Sequence, residues 1–573
     1  MDDLAGPMGI ATTRFEERVL CSLGKGGHAQ ANFKQEQALC GAGILFLLPA
    51  LLAQGLLKTK EVYQLPPSHY YGLESVVLTL AFMALSRIKN PEQLKLRQPG
   101  EIGRIIGMDR APEVKCLREK IKALSDQHQS ARLNNLLVEQ GYQGDTKDDA
   151  GFLYIDGHVR IYYGHQANLP VKYVSRQKLC LSATTEYWVN DAKGLPVMMV
   201  IGELTEKLQA AIEHSIIPRL IEAKLLSQAT GEETKPQCTF VFDREAYEPE
   251  FFHRLWKVYK IAVITYRKNV KDNWDENNFE SMTVKVMDQS VNMDLCEKKT
   301  ELGGYLFREI RRLGISGHQT AIVTTHPNIG ATQVAGRMFA RWGQENFFRY
   351  LIQDYDFDKM ISFGVETTGL EKTVVNPIYR KLGHQLKKLR EKEQRISSKF
   401  YPLVEMVIEG DLEEIPEITD KQMQYKFLLD KYAKEEEELI EQRKKHPPRI
   451  TLAQMPDQER YNKLKTENKI LMNVIKMICY RAESSVASIL SPYLENAENE
   501  KRMLVKQIIK TNAGIIPDYQ NNTLTVVLYS LSAARYNEAV NNLAESLNQT
   551  ETYFPGTNLR MVFKISSNLF CEK

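Results

Sequence analysis

Paired cysteines are missing from this chain. Its eight cysteines (Cys21, Cys40, Cys116, Cys180, Cys238, Cys296, Cys479 and Cys571) are scattered, with no Cys-x-x-Cys pair and no histidine spacing suited to tetrahedral zinc. That excludes a zinc module and a disulfide scaffold, and suits reduced thiols in a cytoplasm. A basic-then-apolar leader is lacking too, because MDDLAGPMGIATTRFEER opens acidic, so the Asn-x-Thr triplets at Asn521 and Asn548 read as chance matches rather than glycosylation sites. Long apolar runs are almost absent. The one exception, GAGILFLLPALLAQGLL from Gly41 to Leu57, contains Pro49 and three glycines and reads as a buried helical hairpin, with no membrane span expected. Charge of one sign is also scarce: the formal net charge is +3, which by itself argues neither for nor against a polyanionic partner, since a balanced total can hide a local basic surface. No repeat of fixed period and no low-complexity tract occurs, so solenoid architectures are excluded.

What remains is 573 residues, 43% hydrophobic and 26% charged, enough for several globular domains. Residues 1–32 read as a flexible N-terminus and 33–148 as a helical domain. Within it, PGEIGRIIGM and APEVKCLREKIKALSDQ have helix-turn-helix proportions: Ile102, Ile105 and Ile106 at helical spacing, Gly107 as a stop, Pro112 as a start, and Lys115, Arg118 and Lys120 on a polar surface. The second helix could enter a DNA groove, or the pair could be an ordinary helical hairpin with a solvated basic face.

From about residue 150 the period changes. FLYIDGHVRIYYG, RQKLCLSATTEYWVND and PVMMVIGE alternate like three antiparallel strands. A long amphipathic helix, TEKLQAAIEHSIIPRLIEAKLLS, follows, then a buried-type strand CTFVFDRE, a helix YEPEFFHRLWKVY and a strand KIAVITYRK. This order predicts an α/β fold with a ribonuclease-H-like catalytic core, whose first and fourth strands lie side by side. The first part of that core spans 149–268, a β-rich insertion 269–317, and the second part 318–379. IGATQVAGRMFARWGQENFFRYLIQDY reads as one long helix with Arg341, Glu345 and Arg349 on one face. Residues 380–452 read as charged long helices and 453–573 as an α+β C-terminal domain.

Two carboxylates interrupt buried strands: Asp156 in YIDGH and Asp243 at the end of FVFDRE. A charge at such a position costs free energy unless it is compensated. A hard divalent ion, Mg²⁺ or Mn²⁺, compensates carboxylates through oxygen ligation, and a third acid would accommodate two ions, the arrangement that serves phosphodiester hydrolysis and strand transfer alike. Singly, an aspartate at a strand end is also a common turn or cap residue. Glu345 is the favoured third ligand, although Arg341-Glu345-Arg349 is equally the pattern of a salt-bridged surface helix. Glu245 is the reserve, and the DYDFD run with Asp354, Asp356 and Asp358 reads as a solvated helix end.

RWGQENFF, with Arg341 four residues before Glu345, completes a pattern. The chain resembles bacterial insertion-sequence transposases of the DDE superfamily, the group with a Tyr-Arg-Glu-Lys signature around the glutamate, over roughly residues 40–380. The signature's Tyr and Lys positions hold Met338 and Ile352 here. The resemblance implies a catalytic, metal-binding triad of Asp156, Asp243 and Glu345, with cleavage at element ends and strand transfer into target DNA. It also implies double-stranded DNA as partner, a homodimer in the synaptic complex, and a cytoplasmic, nucleoid-associated location. Some members of that group stack a flipped base on an insertion tryptophan, a role that would fall to Trp274, which could equally be a structural aromatic. Arg176, Lys178, Arg244, Arg267, Lys268, Arg341 and Arg349 are candidate phosphate contacts, or merely solvated charges. Two other readings stand beside this one: a ribonuclease-H-like nuclease or resolvase, and a domesticated DNA-binding protein that has lost catalysis.

Overall fold

The computed structural model describes residues 13–96, 98–142, 151–165, 167–169, 171–174, 177–202, 206–227, 235–287, 289–357, 364–367, 369–409, 415–457, 460–495 and 497–566. The chain forms two compact units: Met1–Tyr163 with Val171–Phe363 and Lys465–Lys573, and Gly164–Pro170 with Gly364–Leu464.

In the first unit, part of the expected flexible N-terminus is a helix, Phe15–Ser22, tied down by Arg18 to Asp109 at 2.5 Å. A short strand, β1 (Glu36–Leu39), precedes the apolar run. That run is not a two-helix hairpin but a 3-10 turn (Ala42–Leu47), a helix (Leu48–Ala53) and a second 3-10 turn (Leu56–Glu61). Gly41 (φ 67°) and Gly55 (φ 85°) take the left-handed conformation that starts each 3-10 turn, which breaks the run. Ile44, Leu45, Phe46 and Leu47 are fully buried, and among the described residues no helix is long and apolar enough to cross a membrane. Helices Pro99–Ile105 and Val114–Ser125 are separated by Ile106 to Glu113, longer than the roughly three or four residues of a helix-turn-helix turn. Lys115 and Arg118 are exposed, Arg118 in an ion pair with Glu92, whereas Lys120 is buried rather than on the polar surface.

The central sheet comprises β2 (Phe152–Ile161), β3 (Val171–Val174), β4 (Leu179–Asn190), β5 (Pro196–Gly202), β6 (Cys238–Phe242), β7 (Ile261–Tyr266), β8 (Glu280–Val286), β9 (Gln289–Leu302), β10 (Tyr305–Leu313) and β11 (Gln319–Thr324). Its order is β3-β4-β2-β6-β7-β11-β10-β9-β8, with β5 also on β4; β2, β6 and β7 are mutually parallel neighbours. The insertion strands β8–β10 are therefore not a separate body: β11 pairs with β7 on one edge and β10 on the other, so they lengthen the sheet. Both faces of its middle are covered, which is why these strands read as continuous apolar runs. Leu153, Ile155, Phe240 and Phe242 pack with Phe251, Phe252 and Leu255 on one face. Phe152, Tyr154, Val241 and Ile264 pack with Val334 and Met338 on the other.

The expected single helix after β11 is two, Ala331–Ala340 and Trp342–Tyr355, meeting at Arg341. Each half has its own anchor. A Cβ on Gly336 would sit 2.4 Å from the Lys285 carbonyl oxygen, so glycine lets the first helix settle on β8. The second is held by Gln344, described below. The helix expected after β5 likewise contains a π-turn (Ile212–Ile216) just before Pro218, where the proline supplies no N–H.

The second unit holds the charge-rich helices, Pro377–Glu409 and Ile415–Lys444, packed on each other, with Arg390 bonded to Glu436 at 2.7 Å. Two short antiparallel pairs complete it: β12 (Val365–Thr367) with β15 (Asn462–Leu464), and β13 (Thr373–Val375) with β14 (Arg449–Thr451).

The C-terminal segment returns to the first unit. Helix Glu467–Leu490 is buried along most of its length, and β16 (Ala513–Asp518), β17 (Thr523–Leu528) and β18 (Arg560–Ile565) form a sheet whose edge is β1. The N-terminal helical stretch and the C-terminal α+β stretch thus share one core, in which Leu47, Phe82, Ile475 and Val526 belong to the same cluster.

Candidate active site

Side chains alternate across a strand, so Asp156 follows Tyr154 onto the face covered by helix Ala331–Ala340. Register places Ile155 opposite Phe242, which brings Asp243, one residue past the end of β6, beside Asp156. The Gly157 N–H donates to Asp156 Oδ1 at 2.9 Å, and the Arg244 N–H donates to Asp243 Oδ1 at 2.7 Å, capping the 3-10 turn Arg244–Ala246. Glu345 stands in the first turn of helix Trp342–Tyr355.

These three acids converge on one guanidinium. Arg341 places Nη1 3.6 Å from Asp156 Oδ2, and Nη2 3.8 Å from Asp243 Oδ2 and 3.3 Å from Glu345 Oε1. Arg341 sits deep, with its side chain 14% exposed, whereas Asp243 and Glu345 are half-exposed. Burial pushes the Asp156 carboxyl up to about 6; the Arg341 charge and the Gly157 amide oppose this, while Asp243 and Glu245 add to it. Three carboxylates face one guanidinium, and Glu245 is near enough to act on Asp156. The Tyr266 phenol is also raised, chiefly by burial, with Arg341 and Arg244 opposing and Asp243 and Glu345 reinforcing.

Gln344 is the residue that sequence reasoning missed. It is buried beside Glu345, and its Nε2 donates to the Tyr154 carbonyl (3.2 Å), the Trp188 carbonyl (3.3 Å) and Asn190 Oδ1 (3.0 Å). One side chain thereby fastens the glutamate helix to β2 and β4, the strands flanking the site. The signal was available: Gln344, Phe347, Phe348, Leu351 and Tyr355 are all buried at helical spacing, so a glutamine lies on the apolar stripe.

Behind the site, His158 stacks on Phe348, and the buried Arg160 pairs with the buried Glu186 at 2.9 Å. Both Arg160 and Lys469 donate to the Phe357 carbonyl, joining β2 to helix Glu467–Leu490. The DYDFD run is accordingly not a solvated helix end. Asp354 pairs with Lys506 at 2.8 Å, Asp356 is buried in the left-handed conformation, and Asp358 lies outside the described residues.

The basic candidates separate. Arg176 lies outside the described residues. Lys178, Arg244 and Arg349 are exposed, and Lys268 is half-buried. Arg267 pairs with the buried Glu309 at 2.6 Å. Trp274 lies between cations, with Arg311 4.2 Å and Lys298 4.8 Å from its ring centre, and exchanges two backbone hydrogen bonds with the Gln319 side chain. Arg311 is itself fully buried and bonded to Glu309 and Asp272, so the tryptophan is part of a built cluster.

Oxygen donors of this kind suit a hard divalent cation, and the surplus acidic charge around Asp156 favours one. In this arrangement Arg341 occupies the middle of the three acids, and among the described residues no group of three His, Cys, Asp or Glu side chains has metal-holding spacing.

Fold and site together define an α/β protein with an acidic centre gathered around one arginine. The family described as "Transposase protein" matches residues 9–567, and the chain belongs to it. Among solved structures, the chain is similar to a cryo-EM structure of a piggyBac transposase synaptic complex with hairpin DNA, at 10% identity and a TM-score of 0.32, covering 86% of this chain and 89% of that one. No curated protein matches it.

Proposed function

We propose that this transposase-family chain is a DDE-type enzyme that cuts DNA at element ends and transfers the freed strand into target DNA, with Asp156, Asp243 and Glu345 as its acidic centre. The observation that carries the proposal is the convergence of these three residues, distant in sequence, on Arg341. The strand order β5-β4-β2-β6-β7, antiparallel and then parallel, supports a ribonuclease-H-like core around them. A pair of Mg²⁺ or Mn²⁺ ions held there would supply Lewis-acid stabilisation of the attacking and leaving oxygens. The chain's own residues set the stage: Gly157 and Arg244 amides orient the two aspartates, Gln344 fixes the helix that presents Glu345, and Arg341 balances the acids. Arg244 and Arg349 are exposed donors for phosphate.

The test is incubation of purified full-length chain with element-end DNA and Mg²⁺ or Mn²⁺. Cleavage with a joined product is expected. Cleavage without joining would favour a nuclease or resolvase, and binding without cleavage a domesticated DNA-binding protein.

A further inference from the structure

Helix Trp342–Tyr355, which carries Glu345, is held from behind by a buried carboxylate that the proposed reaction does not use. Glu483, on helix Glu467–Leu490, has a side chain only 1% exposed. Its Oε2 accepts from the Tyr350 hydroxyl at 2.9 Å, and its Oε1 stands 2.7 Å from Nη2 of Arg87, just past the end of helix Leu73–Leu85. Arg87 Nη2 also donates to the Tyr350 oxygen at 3.0 Å. From helix Ala497–Lys510, Arg502 places its guanidinium 4.6 Å from the Tyr350 ring centre and its Nη1 3.9 Å from Glu483 Oε2. Burial, and next the Glu483 charge, hold the Tyr350 phenol well above its ordinary range, so it stays protonated and donates. Tyr350 is thus gripped at its oxygen by Glu483 and Arg87 and on its ring by Arg502, from three elements outside the central sheet.

A buried ion pair is costly to desolvate, and what a satisfied network of this kind supplies is one defined arrangement. Here the arrangement fixes a rotation. At about 100° per residue, Gln344, Glu345 and Tyr350 point in three directions roughly 100–140° apart around the helix axis. Gln344 is bonded to β2 and β4, Glu345 meets Arg341, and Tyr350 meets Glu483. Rolling the helix to withdraw Glu345 from the two aspartates would break the bonds of Gln344 and of Tyr350 together. The two anchors also differ in height by about 9 Å along the axis, so they set the tilt as well.

We propose that Glu483 is a positioning residue for the acidic centre, acting through Tyr350 to fix the roll of helix Trp342–Tyr355 and so the place of Glu345 beside Asp156 and Asp243. This rests on the catalytic reading above and adds what holds its third acid in register: a contact from the core that the N-terminal and C-terminal stretches build together.

The experiment uses the full-length chain and single-turnover cleavage of element-end DNA at saturating DNA, with DNA affinity by fluorescence anisotropy and melting temperature with and without Mn²⁺. Tyr350→Phe removes only the linking hydroxyl, Glu483→Leu removes the carboxylate, and Glu483→Gln keeps an acceptor for the hydroxyl. Val526→Ala, in the core at β17, is the control for a purely structural loss. Tyr350→Phe and Glu483→Leu should cleave about ten- to a hundredfold more slowly, the scale of a misplacement of about 1 Å at a reacting centre. Both should bind DNA as wild type does and gain less melting temperature from Mn²⁺. Glu483→Gln should recover most of the rate, and Val526→Ala should melt earlier with its rate and its response to Mn²⁺ intact. If Glu483→Leu does not fold, Tyr350→Phe reads the same link. Tyr350→Phe cleaving at the wild-type rate, or Val526→Ala losing as much rate as Tyr350→Phe, overturns the positioning role and leaves the catalytic reading standing. Wild type that does not cleave overturns both.

Discussion

Arg341 Nη1 stands 3.6 Å from Asp156 Oδ2, so the carboxylate that interrupts the middle of a buried strand meets its countercharge at the junction of two helices. The arginine is the most buried of the four cluster side chains, 14% exposed against 24% for Asp156, so the charge balance of the site depends on it. Replacing it leaves two half-exposed acids beside a buried one.

Arg341→Ala should destabilise the protein at neutral pH. Removing one partner of a well-buried pair costs about 3–5 kcal/mol, and partial exposure of Asp243 and Glu345 reduces that to roughly 1–2 kcal/mol here. Urea unfolding at pH 7.5 and pH 4.5 reads the effect, and the loss should shrink at the lower pH as Asp156 takes a proton. A variant as stable as wild type at pH 7.5 would remove the countercharge role.

Asp156→Asn should act in the opposite direction. The folded carboxyl titrates near 6, above its usual value of 3.8, so the fold favours the protonated form and the cost of ionisation grows as pH rises through that window. The asparagine variant is accordingly expected to match wild type below about pH 4 and to exceed it by roughly 2–3 kcal/mol above about pH 6, without divalent ions. Denaturation curves across that range check it, and a gain that is independent of pH would contradict the cause given.

Gln344→Leu keeps the volume and removes the two N–H donors that Gln344 shares among the Tyr154 carbonyl, the Trp188 carbonyl and Asn190 Oδ1. A loss of about 2–4 kcal/mol follows from desolvated, unsatisfied acceptors. DNA cleavage should fall as well, because the helix that presents Glu345 loses its tie to β2 and β4. Stability close to that of wild type would show that packing alone holds the helix.

Gly336→Ala places a Cβ 2.4 Å from the Lys285 carbonyl oxygen, a contact with backbone that cannot rotate away. Overpacking of this kind costs about 1–3 kcal/mol, and the melting temperature should drop accordingly. An unchanged melting temperature would mean that helix and strand separate easily.

The sheet and its acids were legible because buried parallel strands leave continuous apolar runs in which a lone aspartate stands out, as FLYIDGH and FVFDRE do. Strand register then follows from topology, and the pairing of Ile155 with Phe242 sets the two aspartates together. Tertiary contacts were not legible. Nothing local in RMFARWGQENFF marks Arg341 as the point where one helix becomes two, and Glu36–Leu39 pairs with a strand nearly five hundred residues away. The DYDFD run looked solvated because its partners, Lys506 and Arg87, are remote in sequence. Likewise Lys120 carries the right charge for a polar face, yet the helix turns it inward.

The central claim, that Asp156, Asp243 and Glu345 act together on the phosphodiester bond, is tested most directly by single-turnover cleavage of element-end DNA with Mn²⁺. Asp156→Asn, Asp243→Asn and Glu345→Gln should each retain DNA binding and lose cleavage by about a hundred- to a thousandfold, on the scale of removing one preorganised electrostatic group at a reacting centre, while Glu245→Gln keeps measurable activity. Full-rate cleavage by any of the first three, or its loss in Glu245→Gln with Glu345→Gln active, would contradict the assignment.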